Sequence, residues 1–339
     1  MTKTISLKKP KFFIFNIKEN FLNLFFSFVV FLVMLLIISK PAIFSNATIS
    51  GLKLFYGSVL PGLFPFMFLT KLLTELGTVF KITKRLSGAS RKLFGTPGVS
   101  LYCFFMSILS SYPIGAKIIQ DLYSKNLITE EDAKRMSIFC TTSGPIFVIG
   151  AVGAQMLKNY KLGIILYISH ILSSLILGIV YNLLFKNKSL NQTRIVFSTN
   201  KKSENIFTSC LLETINSLFL VGGYITIFYL ISEVLDLLNI FLTLSTILGK
   251  ILPNVSSETI KGFLFGLIEV TRGVKELSLL KTPNIPAICG LISFSGISII
   301  MQSLSFLKTA KIKAHNFILS KCVLMIFSII ICKLLIILW

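Results

Sequence analysis

Ser-Ser-Tyr-Pro-Ile-Gly, residues 110–115, interrupts an apolar run that extends from residue 99 to residue 119. A run of that length could otherwise cross a membrane as one helix. Pro113 removes a helical N–H donor, and a broken helix at membrane depth is tolerated only where protein or a polar cavity satisfies the freed backbone groups. We therefore predict that residues 99–123 form a re-entrant helical hairpin, which dips into the bilayer and returns to the side from which it came.

The composition around this break is that of a membrane protein. Of the 339 residues, 54% are hydrophobic and only 14% are charged, and the mean hydropathy is +0.83. Soluble globular chains are roughly 45–50% apolar and about 25% charged. The composition excludes a secreted domain, a cytosolic Rossmann enzyme and a disordered tail, and it predicts an all-α polytopic membrane protein.

The charges show which loops face the cytoplasm. Lys and Arg number 34 against 13 Asp and Glu, a net charge of +21. The basic residues cluster between apolar runs, within residues 3–18, 81–92, 186–202 and 308–313. This distribution is typical of cytoplasmic loops under the positive-inside rule, with attraction to anionic lipid headgroups as a by-product. The expected partners are the lipid bilayer and a small-molecule substrate rather than nucleic acid, and the sequence leaves a homo-oligomer open.

Metal and enzyme chemistry find little support in the sequence. The six cysteines are scattered through apolar stretches, and none forms a pair at metal-ligand spacing. No paired His and carboxylate set, nucleophile–base spacing or phosphate loop is present. We predict a protein that is not an enzyme and holds no resident cofactor or metal, and a coupling ion, Na⁺ or H⁺, is left open.

The first span, residues 21–39, follows a Lys-rich segment that places the N-terminus inside. A signal peptide with a weak cleavage site at residues 45–47 is the alternative, but the apolar run exceeds the roughly 7–15 residues of a typical signal-peptide core. The second span, residues 54–73, then returns the chain to the cytoplasm.

The number of crossings that the basic clusters allow identifies the segments that do not cross the membrane. Residues 99–119, 137–157 and 162–185 lie between two basic clusters, and three full crossings would put the second cluster outside, against the charge rule. If residues 99–119 belong to the first hairpin and the other two segments cross, the second basic cluster stays inside. In the second half, residues 206–238, 286–307 and 317–339 cross, and the parity requires residues 260–280 to form a second hairpin. The prediction is about seven crossings, two hairpins and an external C-terminus.

The two halves match in sequence, weakly but in order. Residues 56–64 have a counterpart in 218–224, residues 113–117 in 271–275, and residues 143–146 in 295–298. The charges give the halves opposite orientations, and an inverted-topology repeat with discontinuous helices is the signature of secondary transporters. Residues 1–50 are predicted to form a cytoplasmic start with the first span, and residues 51–185 a first repeat. Residues 186–205 are predicted to be a basic cytoplasmic linker, and residues 206–339 a second, inverted repeat.

Four polar breaks are predicted to converge on a substrate site near the membrane midplane. Half-helix N-termini beyond each break present free N–H groups and positive dipole ends, which suit a carboxylate or phosphate. Ionisable groups within membrane segments are costly and indicate function. The candidate substrate-binding or coupling residues are Ser110, Ser111, Tyr112, Lys117, Thr142, Ser143, Gly144, Glu269, Thr271, Arg272, Ser295 and Gln302.

Each candidate has a structural alternative. Lys117 could instead reach water from the cytoplasmic foot of the hairpin. Glu269 and Arg272 are three residues apart and could neutralise each other on a helix. The Ser and Thr residues could serve only in hydrogen bonds between helices.

The motifs at these breaks resemble a known family. Residues 111–117 (Ser-Tyr-Pro-Ile-Gly-Ala-Lys), 143–152, 266–273 and 293–296 resemble the YlbJ family of sporulation integral membrane proteins, also called SpoVV. That group belongs to the nucleoside-recognition, or Gate, domain proteins and is similar in architecture to concentrative nucleoside transporters. The resemblance covers about residues 51–313, although Thr142 stands where an Asn-rich neighbourhood is expected.

The resemblance implies a multi-pass protein of the cell membrane, which in a sporulating host would lie in the outer forespore membrane. It implies transport of dipicolinate, and the breaks predict transport of a small, polar, anionic solute. The alternatives are a transporter of a nucleoside or another metabolite and a non-transporting membrane scaffold of sporulation.

Overall fold

A computed structural model of the chain describes residues 17–185 and 205–338. Within these ranges every regular element is helical, as predicted. The elements up to the basic linker are α1 (Ile17–Ser39), α2 (Pro41–Leu54), a π-helix (Phe55–Val59), α3 (Leu60–Glu75), α4 (Thr78–Phe94), α5 (Val99–Ser110), α6 (Ile114–Ser124), α7 (Glu130–Phe139), a second π-helix (Ile146–Met156) and α8 (Tyr160–Leu184).

The second half follows the same order of elements: a long helix, a short helix, two short helices joined at a break, a broken helix and a long helix. They are α9 (Ile206–Leu237), α10 (Ile240–Ile251), α11 (Ser257–Ile268), α12 (Val270–Ser278), α13 (Ile285–Phe294), α14 (Gly296–Leu307), a 3₁₀ turn (Lys308–Ala310) and α15 (Ala314–Leu338).

The described residues fall into two compact units, Met1–Asn46 and Ala47–Trp339. Both proposed repeats belong to the second unit, whereas residues 186–204 of the predicted linker lie outside the described residues. In the first unit, α1 is an uninterrupted apolar helix from Asn23 onward, as expected for the first span.

Several helices can cross a bilayer. Among the described residues, four segments are long and apolar enough: Tyr160–Leu184, Ile206–Leu237, Ile285–Ala310 and Ala314–Leu338. Two pairs of bent helices raise the number to six when each pair is counted as one span. Large apolar side chains such as Ile176, Phe219 and Ile337 remain exposed on the long helices, which suits lipid contact rather than water. The chain is therefore a multi-pass membrane protein.

Two other predicted crossings are built from shorter pieces. Residues 55–75 are a π-helix continued by α3, and residues 130–156 are α7 and a π-helix separated at residues 140–145. Insertions of π-helix are frequent at functional sites. The α7 start is held by a capping box, in which Thr129 and Asp132 cap each other's backbone N–H.

Both segments predicted to form hairpins consist of two helices that pack against each other. In the first, the Cys103 thiol on α5 approaches the carbonyl oxygen of Gly115 on α6 at 3.5 Å. In the second, α11 and α12 meet through glycines, and a Cβ on Gly273 would lie 2.2 Å from Gly266 Cα. Only a residue without a side chain allows the two backbones to come so close.

Glycines aligned between the halves have equivalent surroundings, which supports the internal repeat. A Cβ on Gly144 would lie 2.9 Å from Ser110 and Ser111, at the tip of the first hairpin. Its aligned partner Gly296 would place a Cβ 2.9 Å from the Gly266 carbonyl and 3.1 Å from Val270 N, beside the tip of the second hairpin. In each half, the broken helix therefore passes its glycine against the hairpin tip.

The predicted opposite orientation of the two halves gives the expected result of a topology experiment. Reporter fusions after Lys92, Lys202 and Lys313 are expected to report the cytoplasm, because basic clusters stay inside. Fusions after residues 41, 161, 250 and 339 are expected to report the outside. Paired alkaline phosphatase and fluorescent-protein fusions at each position would measure this. An external Lys202 would contradict the re-entrant hairpin at residues 99–123 and the inverted repeat with it.

Candidate functional site

A cavity of about 550 Å³ lies where the broken helices of the two halves meet. Small-molecule sites typically have volumes of roughly 300–1,000 Å³, with mostly apolar walls and a few placed polar groups. Apolar side chains dominate this wall too. Its polar members are Ser110, Ser111, Tyr112, Ser143, Gln155, Tyr160, Glu269, Thr271 and Gln302.

The structure brings most of the predicted site residues to this cavity. Seven of the twelve line it: Ser110, Ser111, Tyr112, Ser143, Glu269, Thr271 and Gln302. Thr142, Gly144 and Ser295 belong to the adjoining breaks and do not reach the wall. Lys117 and Arg272 lie elsewhere, in ionic contacts. The functional roles of all twelve remain predictions.

Hydrogen bonds join the two halves across the cavity wall. Tyr112, at the first break, donates from its hydroxyl to the carbonyl oxygen of Ile292 on α13 at 3.4 Å. His170 of α8 is fully buried and joins two further parts of the wall. Its Nε2 accepts the backbone N–H of Ser143 at 2.9 Å, and its Nδ1 lies 2.8 Å from the hydroxyl oxygen of Ser293.

These contacts fix the protonation of His170. A backbone N–H can only donate, so Nε2 must be the acceptor, and the neutral ring then carries its proton on Nδ1. That proton is directed at Ser293. The neutral imidazole therefore links the break that precedes the second π-helix, at Ser143, to Ser293 on α13.

Glu269 is buried at the break between α11 and α12, with 2% of its surface exposed. Its carboxylate accepts the backbone N–H of Arg272 at 2.7 Å and so caps the N-terminus of α12. This hydrogen bond satisfies one of the backbone N–H groups that a helix start leaves without an intrahelical partner. Glu269 thus combines a local capping role with a position on the cavity wall.

The Arg272 side chain forms its ion pairs with α9 rather than with Glu269. Its guanidinium lies 2.9 Å from the Glu233 carboxylate and 2.7 Å from the Ser232 hydroxyl oxygen, both on α9. It also stacks 4.2 Å from the centroid of the Phe265 ring. Among the described residues, Glu269 and Arg272 do not form an ion pair, because the Glu269 carboxylate turns back to cap α12 whereas the guanidinium turns toward α9. Arg272 instead ties the second hairpin to one end of α9.

Lys117 belongs to an ionic cluster at the other end of α9. Its ammonium lies 3.3 Å from Asp121, which also contacts Lys71 of α3 at 3.2 Å. Lys71 in turn pairs with Glu213 near the start of α9 at 2.7 Å. The first turn of α6 carries Lys117 away from the cavity, so the structure places it at the foot of the hairpin rather than at the site.

The hydroxyls of the first two breaks differ in their partners. The hydroxyl oxygens of Thr142 and Ser107 lie 2.9 Å apart. Thr142 therefore joins the break after α7 to α5 of the first hairpin. Ser110 is 3% exposed, lines the cavity, and its hydroxyl makes no hydrogen bond within the described residues. A buried hydroxyl without a protein partner is costly, so Ser110 is well suited to contact a bound molecule.

Three residues near the site escaped the sequence reasoning: Gln155, His170 and Lys321. Gln155 and His170 are single polar groups in apolar runs, and Lys321 is a charge in the last span. The rule that singles out ionisable groups in membrane segments applies to Lys321 as it does to Glu269. The signal was therefore present, but the fold was needed to show that these residues lie near one cavity.

Comparison with curated proteins identifies a relative of this chain. No family model matches the chain, and no solved structure matches it. The chain is 26% identical over 310 residues to the sporulation integral membrane protein YlbJ of Bacillus subtilis (strain 168), an alignment that covers 84% of this chain and 76% of that protein. The predicted resemblance to the YlbJ family is thereby confirmed, whereas the nucleoside-recognition domain and the similarity to concentrative nucleoside transporters stay predictions.

Proposed function

We propose that this protein is a secondary transporter of a small, polar, anionic solute, with dipicolinate as the candidate substrate. In a sporulating host it would act in the outer forespore membrane. The YlbJ relative is named for sporulation, and this name directs the proposal to that process.

The observation that carries the proposal is the cavity at which broken helices of both halves meet. Discontinuous helices that converge between two repeats form the substrate sites of secondary transporters. Ser143 and Tyr112 reach the cavity from the first half, and Glu269 and Gln302 reach it from the second. A molecule bound there would contact both halves, so movement of one half against the other could expose it to either side.

The helix ends around the cavity favour an anion. Val270 begins α12 and Ile146 begins the second π-helix, and both residues line the cavity. Free N–H groups and the positive dipole end at a helix start attract negative charge. Glu269 adds a negative charge to the same wall, so binding of an anion would be favoured by a proton or cation on Glu269. This arrangement suits coupled transport.

Uptake by purified protein in liposomes would test the proposal. Full-length protein would be reconstituted, and accumulation of labelled dipicolinate would be followed under a proton gradient, a Na⁺ gradient or neither. The expected result is gradient-dependent accumulation well above that of protein-free vesicles. Labelled uridine would be measured in parallel as the nucleoside probe.

The outcomes separate the candidate functions. Accumulation of uridine but not of dipicolinate would favour the nucleoside alternative. Accumulation of neither probe, nor of other small carboxylates, by correctly inserted protein would contradict transport and favour a membrane scaffold.

A further inference from the structure

Lys321 is a buried cation about two turns after the start of the last membrane helix, α15. Only 1% of its surface is exposed. None of the ion pairs formed by the described residues involves it. A charged side chain at membrane depth is costly and is retained where it serves a function. Lys321 therefore needs an explanation beyond packing.

The contacts of Lys321 place its ammonium directly behind the cavity wall. The Nζ atom donates to the carbonyl oxygen of Thr141 at 2.6 Å. It also lies 4.7 Å from the centroid of the Tyr112 ring and 5.4 Å from that of Phe317. Such cation–π contacts stabilise an ammonium without neutralising it.

Two of these partners lead to the cavity. Tyr112 itself lines it, and Thr141 precedes the lining residue Ser143 by two positions in the same break. One aromatic ring and a short stretch of backbone therefore separate the ammonium from the cavity. Over such a distance in a protein interior, a charge still acts on a bound ion, because screening is weak there.

We propose that Lys321 sets the charge preference of the cavity, which then binds a carboxylate anion more tightly than a neutral molecule of the same shape. This inference rests on the proposed function. An anion in the cavity would compensate the buried ammonium, whereas a neutral molecule would leave its charge unbalanced. Lys321 acts through Tyr112 and the Thr141 break, so it is a positioning and selectivity residue rather than a direct ligand.

The competing explanation is that Lys321 only pins the Thr141 carbonyl in place. Two variants separate charge from hydrogen bonding. Lys321→Gln keeps an N–H donor and loses the charge, and Lys321→Arg keeps both. Lys333→Gln removes an exposed charge from the same helix and is the matched control.

Binding to the purified full chain in detergent would be measured by thermal stabilisation with two probes. Dipicolinate is the anionic probe, and pyridine-2,6-dicarboxamide is a neutral probe of nearly the same shape. The wild type and Lys333→Gln are expected to prefer dipicolinate. Lys321→Gln is expected to lower the ratio of the two affinities by at least about tenfold, and Lys321→Arg should preserve it. Lys321→Met, measured alongside, provides a second neutral variant if Lys321→Gln does not give monodisperse protein.

Each result decides the question. If Lys321 only holds the Thr141 carbonyl in place, Lys321→Gln would weaken the binding of both probes equally and leave the ratio of their affinities unchanged. That result would overturn the inference while the proposed function stands. A wild type that binds both probes equally well would overturn it without any variant. A wild type that binds neither dipicolinate nor other carboxylate probes would overturn the proposed function itself, and this inference with it.

Discussion

Changing Glu269 to Gln is expected to reduce transport by at least about tenfold, the scale of a typical coupling energy, while the protein stays inserted and abundant. The structure makes this substitution selective for charge. A Gln side chain has nearly the same volume, and its carbonyl oxygen can still accept the Arg272 N–H that Glu269 accepts at 2.7 Å. The cap of α12 is kept, whereas the group can no longer gain and lose charge during a transport cycle.

Ser143→Ala is expected to have a comparable effect from the other half of the cavity. Ser143 lines the wall at the break where its backbone N–H is held by His170. The substitution leaves that backbone contact intact and removes only the hydroxyl. Loss of transport would therefore report a contact with the solute rather than collapse of the break.

Both effects are measured as dipicolinate uptake into proteoliposomes, normalised to inserted protein. Glu276→Gln is the control for charge, because Glu276 is an exposed carboxylate on α12, the helix that Glu269 caps. Ser320→Ala is the control for the hydroxyl, since Ser320 bonds only within α15. Normal transport by both single variants would remove these breaks from the site.

A structural role for Glu269 makes a different prediction. If the carboxylate only caps α12, Glu269→Gln should transport normally and Glu269→Ala should lose folded protein, because a lost cap costs about 1 kcal/mol. Arg272→Gln does not rescue either variant on the present geometry, since the Arg272 guanidinium is balanced by Glu233 at 2.9 Å.

The elements of the fold were largely readable from the sequence because bilayers restrict what a chain can do. Apolar runs longer than a crossing must be helical, and Pro113 with its serine neighbours had to interrupt one. The alignment of residues 113–117 with 271–275, and of residues 143–146 with 295–298, also indicated positions that correspond between the two halves. The pieces of residues 137–157 were harder, because a π-helix leaves no distinct mark in an apolar sequence.

The partners of the polar residues could not be read in the same way. Spacing suggested a pair between Glu269 and Arg272, but the partner of Arg272 lies 39 positions away, on α9. His170 and Ser293 are 123 positions apart and meet only after folding. Such contacts depend on how helices pack, which local sequence does not encode. The breaks therefore indicated where the candidate cavity lies, but not which hydrogen bonds surround it.

Gly115→Ala is expected to lower the stability of the fold strongly. Gly115 lies in the first turn of α6, within the Tyr-Pro-Ile-Gly-Ala-Lys motif that carries the family resemblance, and a Cβ there would lie 1.7 Å from the carbonyl oxygen of Cys140. The obstacle is backbone rather than a movable side chain, so either the hairpin or the break after α7 must shift. Overpacking usually costs about 1–3 kcal/mol and occasionally more, and this contact should reach the upper end.

The consequence extends to the cavity, because the two backbones that would be forced apart are the ones that carry Tyr112 and Ser143 to its wall. Detergent-extracted protein would be followed by size exclusion and by its thermal unfolding midpoint. Gly223→Ala is the matched control, since a Cβ on this α9 glycine meets nothing within 4 Å and Ala favours a helix. Monodisperse Gly115→Ala protein with an unchanged midpoint would mean that α6 does not press against the Cys140 carbonyl. The motif glycine would then need a role in the transport cycle rather than in the fold.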